Sequence, residues 1–143
     1  MTIIGFNFNK INVEKGSTVR GKISISNNVA IKNIEEADLP FGKDKQNGLK
    51  FIFEFTSKYE PNAGSILLGG DVLYLEDSKK VKEILDVWKK DKKAPADIMG
   101  SILNTILAKC NIQALILSQD VNLPPPIPLP KVKTETKGTG TAG

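Results

Sequence analysis

Between Leu49 and Leu75 the chain alternates apolar and polar residues twice around one short turn, and no other pattern in it restricts the fold as much. In LKFIFEFTSKY, Leu49, Phe51, Phe53 and Phe55 share one parity, and Ile52 is the one apolar residue on the reverse face. EPNAG follows with Pro, Asn and Gly for a hairpin turn, and SILLGGDVLYL returns as the partner strand. Gly69-Gly70 interrupts that partner. A bulge or a close backbone approach is the reading there, because Gly69-Gly70 opens neither GxxxxGK[ST] nor GxGxxG to cradle a phosphate.

The N-terminal segments read as further strands. Phe6 and Phe8 alternate, and Ile11 and Val13 then resume on the opposite parity, which predicts a bulge or bend between them. In KISISNNVAIKNI, Ile23, Ile25, Val29 and Ile31 fall on one parity of a single long strand; Asn27 shares it and marks a local break or a wet edge. The stretch 35–48, EEADLPFGKDKQNG, reads as a loop from its Pro40, Gly42, charges and Asn47-Gly48. Leu39 and Phe41 stand in it without periodic partners, either tucked under the loop or exposed for a ligand.

After Leu75 the period changes. Val81, Ile84, Leu85 and Trp88 follow helical spacing, with Asp77 or Ser78 to cap the start and lysines toward the end. A second helix begins near Pro95, and Asp97 sits beside its positive pole. From Ile98 to Ala108 that helix has no charge: Ile98, Met99, Ile102, Leu103, Ile106 and Leu107 face one way, and Gly100, Ser101, Asn104, Thr105 and Ala108 fill the remaining arc. An exposed arc normally carries Lys or Glu, so a sheet beneath and a second copy or another subunit above are expected. Cys110-Asn111 reads as a boundary, after which Ile112, Leu115 and Ile116 restart an out-of-phase stripe in a short third helix.

Five prolines then occur in the seven residues 124–130 of NLPPPIPLPKV. Proline lacks the N–H that a helix or central strand needs, so this run is stiff and extended. Leu123, Ile127 and Leu129 are spaced as anchors, which predicts a strap laid along the body, closing the fold or lining a groove. Residues 133–143, rich in Gly, Thr and Lys, read as a disordered tail.

Several function classes lack their residues. There is no histidine, and the single Cys110 excludes an intrachain disulfide or a CxxC centre, so neither a metal nor a cofactor is indicated. Glu35-Glu36, Glu76-Asp77 and Asp120 lie in polar segments with nothing to desolvate them, and the chain reads as a non-enzyme. The net charge of +4 comes from 20 basic residues against 16 acidic ones, and Arg20 is the one arginine, which argues against base-specific nucleic-acid recognition. No uninterrupted apolar run reaches the length of a membrane span, and MTIIGFNFNK resembles no secretory leader, so a cytoplasmic protein is expected.

FNFNKINV, the central LKFIFEFTSKY, the hairpin into GSILLGGDVLYL and the closing VNLPPPIPLPKV together resemble the SecB-like export chaperones. Those proteins open on an F-x-(I/F)-x-x-I-x-V/Y strand and follow their long helix with L-x-L-(P/A)-P-(I/V)-N-F. The resemblance spans about residues 5–132. It implies one α+β domain over 1–132, with a curved antiparallel sheet of about four strands and two or three C-terminal helices. It also implies a homo-oligomer, dimer or tetramer, that holds unfolded or extended polypeptide in apolar grooves. Leu39, Phe41, Leu123, Ile127 and Leu129 are the candidate groove residues; Gly100, Ser101, Asn104, Thr105 and Ala108 are the candidate oligomer interface. The chain departs from the family in an additional charged helix between Val72 and Pro95 and in a basic Gly/Thr-rich end, which puts a SecA partnership in doubt. The competing reading is an adaptor subunit for one fixed partner.

Overall fold

The computed structural model describes residues 2–17, 21–41 and 44–129, with the side chains of all of these except 38–41 and 44–46. The expected tail at 133–143 lies outside the described residues. Four strands, β1 (Thr2–Lys15), β2 (Ser24–Phe41), β3 (Asp44–Glu60) and β4 (Gly64–Leu75), form one open antiparallel sheet in the order β1-β4-β3-β2. Two helices follow, α1 (Ser78–Asp91) and α2 (Ala96–Asp120), and lie over one face of the sheet, an α+β arrangement.

The alternation in β3 is what builds the core. Leu49, Phe51, Phe53, Phe55 and Tyr59 are buried on the helix side, joined by Ile66, Leu68, Val72 and Tyr74 of β4. The parity change in β1 is a bulge: its register against β4 shifts between Phe8 and Lys10, and a second shift separates Ile3 from Gly5. Phe6 and Phe8 therefore meet Phe53, with Phe6 stacked at 5.1 Å and Phe8 edge-on at 6.3 Å. Gly70, paired with both Phe8 and Phe53, makes this possible, since a Cβ there would lie 1.9 Å from the Asn7 carbonyl oxygen and 2.9 Å from the Phe53 ring. The double glycine is thus a close backbone approach.

Three expectations are corrected. The stretch 35–48 is strand wherever it is described: β2 runs to Phe41, β3 starts at Asp44, residues 44–48 already pair with β2, and 42–43 lie outside the described residues. Pro40 is tolerated because β2 is an edge strand. β2 is also unbroken at Asn27; its register shift comes at Lys32, between Ile31 and Asn33. Nor is there a boundary at Cys110-Asn111 or a third helix, because α2 continues to Asp120.

α1 forms as its spacing predicts. Asp77 caps it by accepting from the Lys80 N–H at 2.9 Å, and Lys92 ends it in the left-handed conformation at φ 55°. Val81, Ile84 and Trp88 are its buried stripe, and the Trp88 indole N–H donates to Asn33 Oδ1 at 3.0 Å, tying the helix to β2.

The buried residues of α2 are Ile98, Ile102, Ile106, Cys110, Ala114 and Ser118, a strict every-fourth row. At 3.6 residues per turn such a row is a ridge that winds slowly around the helix, which suits an oblique seat on a twisted sheet. The helix spans about 37 Å at 1.5 Å per residue. It starts beside Ile3 and Tyr74 and ends near Tyr59 and Gly64, the two ends of β4. Among the described residues α2 is the one helix long and apolar enough to cross a bilayer, by length and composition alone.

Replacing Phe53 by Ala removes the centre of the aromatic cluster and is expected to cost about 3–5 kcal/mol in denaturant unfolding. Gly70→Ala, which adds one methyl group, is expected to cost about 1–3 kcal/mol because its nearest obstacle is backbone. A Gly70→Ala midpoint equal to that of the unsubstituted chain would contradict the close approach.

Candidate polypeptide-binding surface

Asn122 turns the chain out of α2 at φ 59°, and the Leu123 N–H donates to the Ser118 carbonyl at 2.8 Å. The proline strap then folds back over the sheet. Leu123 is buried against Gly64, where a Cβ would stand 3.1 Å from a Leu123 methyl. The Tyr59 hydroxyl donates to the Pro124 carbonyl at 2.6 Å, and the Asn27 side-chain amide donates to the Pro126 carbonyl at 2.8 Å. The Ser57 hydroxyl donates to Asn27 Oδ1, which fixes the amide so that its Nδ2 faces the strap.

Asn27 is therefore neither a break nor a flaw in an apolar row. It pairs with Ser57 across β2 and β3, and the two act as one clasp. Buried carbonyls need donors, and a proline run can offer only acceptors, so the sheet supplies the donors through side chains. The signal was present in the sequence as two polar residues, Asn27 and Ser57, on otherwise apolar parities.

Of the five candidate groove residues, three lie on this strap. Leu123 is a buried anchor, Ile127 is half-buried and Leu129 is 40% exposed. Leu39 and Phe41 are not brought near them. They lie in the β2 segment that pairs with Asp44–Gln46, roughly 40 Å of extended chain from Asn27, and their side chains lie outside the described residues. A single groove lined by all five is not formed along β2.

The uncharged arc of α2 points away from the sheet. Ser101, Asn104 and Ala108 are exposed, Thr105 is half-buried, and a Cβ on Gly100 would meet nothing within 4 Å. The same outward row continues into Ile112 and Ile116, which are 62% and 49% exposed. These two were read in the sequence as a fresh core stripe; they face outward because the buried row moves on through Cys110, Ala114 and Ser118.

Burial pushes the Cys110 thiol up to about 12 and the Tyr59 hydroxyl up to about 12. Among the described residues no group of His, Cys, Asp and Glu is arranged to hold a metal ion, and every buried side-chain polar atom has a partner. No family model, curated protein or solved structure matches the chain.

Tyr59→Phe leaves the Pro124 carbonyl without its donor and is expected to cost about 1–2 kcal/mol. The same hydroxyl makes stability depend on pH. Its folded value of about 12 lies above the ordinary 10.0, so its contribution is complete below pH 10 and is lost as the pH rises toward 12. Unfolding titrations between pH 10 and 12 should show a shallower decline for Tyr59→Phe than for the unsubstituted chain.

Proposed function

We propose that the chain is a non-enzymatic, chaperone-like binder of unfolded or extended polypeptide that acts as a homo-oligomer in the cytoplasm. The observation that carries this reading is the outward row of α2, Gly100, Asn104, Ala108, Ile112 and Ile116, which holds no charge of its own, has the exposed Lys109 beside it, and ends in two isoleucines left in water. A solvated helix face on a chain with 25% charged residues would carry Lys or Glu, and a contiguous apolar face marks an interaction surface.

The row divides by size. Its small half, Gly100, Asn104 and Ala108 flanked by Ser101 and Thr105, lets another backbone approach closely and is the contact between copies. Its large half, Ile112 and Ile116, together with Ile127 and Leu129 of the strap, takes apolar side chains of a polypeptide. The four-stranded antiparallel sheet followed by a long helix and a proline-rich segment agrees with the SecB-like resemblance, which supports the same reading.

The test is suppression of aggregation of a chemically denatured protein by stoichiometric amounts of this chain, without ATP. Ile112→Lys with Ile116→Lys is expected to raise the concentration needed at least about tenfold, since burying each Ile is worth roughly 1.5–3 kcal/mol. The solution mass should not change in that variant, whereas Asn104→Lys with Ala108→Lys should reduce it. Failure to suppress aggregation, with one stoichiometric protein captured instead, would replace this reading by an adaptor with a fixed partner.

A further inference from the structure

The sheet has two edges, and they are defended differently. β1 is bulged twice and carries Lys10, Glu14 and Lys15. The distal part of β2 is bulged at Lys32 and carries Glu35, Glu36 and Asp38. From Ser24 to Ile31, β2 has no bulge, no proline and no charge. Bulges and charges are what keep an edge from pairing with another chain, and this stretch has neither.

Among the described residues no backbone hydrogen bond reaches this stretch from its outer side, and Ser24, Ser26, Asn27 and Asn28 are exposed. The described part of the strap, to Leu129, does not pair with it: Pro126 is held by the Asn27 side chain, not by the backbone of the edge. The residues after Val132, KTETKGTGTAG, offer no apolar side chain larger than alanine to set beside the row Ile23, Ile25, Val29 and Ile31. All four members of that row are only half-buried.

The row is symmetric about Asn27. β-Branched apolar residues stand two and four positions to either side, and small or polar uncharged ones, Ser26 with Asn28 and Ser24 with Ala30, stand one and three positions away. A segment that reads alike in both directions is self-complementary when laid antiparallel to itself, which is the requirement of a two-fold interface. Ile25 then faces Val29 and Ile23 faces Ile31 on the helix-covered side, each pair adding to the apolar layer.

We infer that β2 pairs through Ser24–Ala30, flanked by Ile23 and Ile31, with the same edge of a second copy, antiparallel about a two-fold axis close to Asn27, joining two sheets into one. This contact is separate from the α2 face and does not depend on polypeptide binding. Ser26 and Asn28 point to the sheet face opposite the helices, so charges there oppose pairing without entering the core.

The experiment is sedimentation of the full chain over a range of concentrations. Ser26→Lys with Asn28→Lys should halve the mass while circular dichroism stays unchanged, and Ser26→Glu with Asn28→Glu should do the same. Mixing the two variants should restore the original mass, because opposite charges then meet across the axis. The halving should also occur in the Asn104→Lys, Ala108→Lys background if the α2 contact exists, so loss of either interface is read separately. An unchanged mass in both edge variants overturns the inference. So does an unsubstituted chain that stays monomeric, whether its edge is idle or takes up an extended peptide instead.

Discussion

The architecture outside the sheet depends on one contact, the seating of α2 along β4 by a single ridge of side chains. Ile98, Ile102, Ile106, Cys110, Ala114 and Ser118 descend in size toward the C-terminal end. Small residues at that end let the helix approach where the strap must also fit. Because that ridge, with Met99, Leu107 and Leu117 beside it, does the packing, the opposite row faces away from the sheet among the described residues. In that row Gly100, Asn104, Ala108, Ile112 and Ile116 stand in solvent without a charge among them. The length of α2 matters equally, since it delivers Ser118 to the level of Tyr59, where Asn122 can reverse the chain.

The strap completes what the helix begins. Extended proline-rich chain loses little conformational entropy when it is fixed, so a few well-placed donors are enough to hold it. Tyr59 and Asn27 provide them, Ser57 orients Asn27, and Gly64 leaves room for Leu123. Past Pro126 the ties stop, and Ile127 and Leu129 become progressively more exposed. The strap is therefore tied down at its start and more exposed at its end.

Much of the fold was legible because local and tertiary demands agree. The parity change between Phe8 and Ile11 signalled a real bulge, the turn at EPNAG separates β3 from β4, and Val81, Ile84 and Trp88 form the buried stripe of α1. Where reading failed, the two demands conflict. Pro40 and Asn47-Gly48 are loop formers by composition, yet long edge pairing carries β2 and β3 through them. In α2 a row with period 4 drifts against a wheel drawn at 3.6, so a continuous helix looked like two. The candidate site was legible in part: the strap and the uncharged arc were visible, but Asn27 and Tyr59 reach the strap across the sheet, at separations of 99 and 65 residues, and Ser57 acts through Asn27, 30 residues away.

The clasp is asymmetric in its chemistry: the donors are particular side chains of the sheet, while the acceptors are main-chain carbonyls, which every amino acid possesses. Side chains past Pro126 are consequently exchangeable without untying it, whereas Asn27, Tyr59 and the buried Leu123 are not. Over generations the closing segment of such a protein is free to drift, and its apolar wall to be refitted, while the closure itself persists. Two proteins sharing this architecture can then differ most in the last, proline-rich residues of the strap.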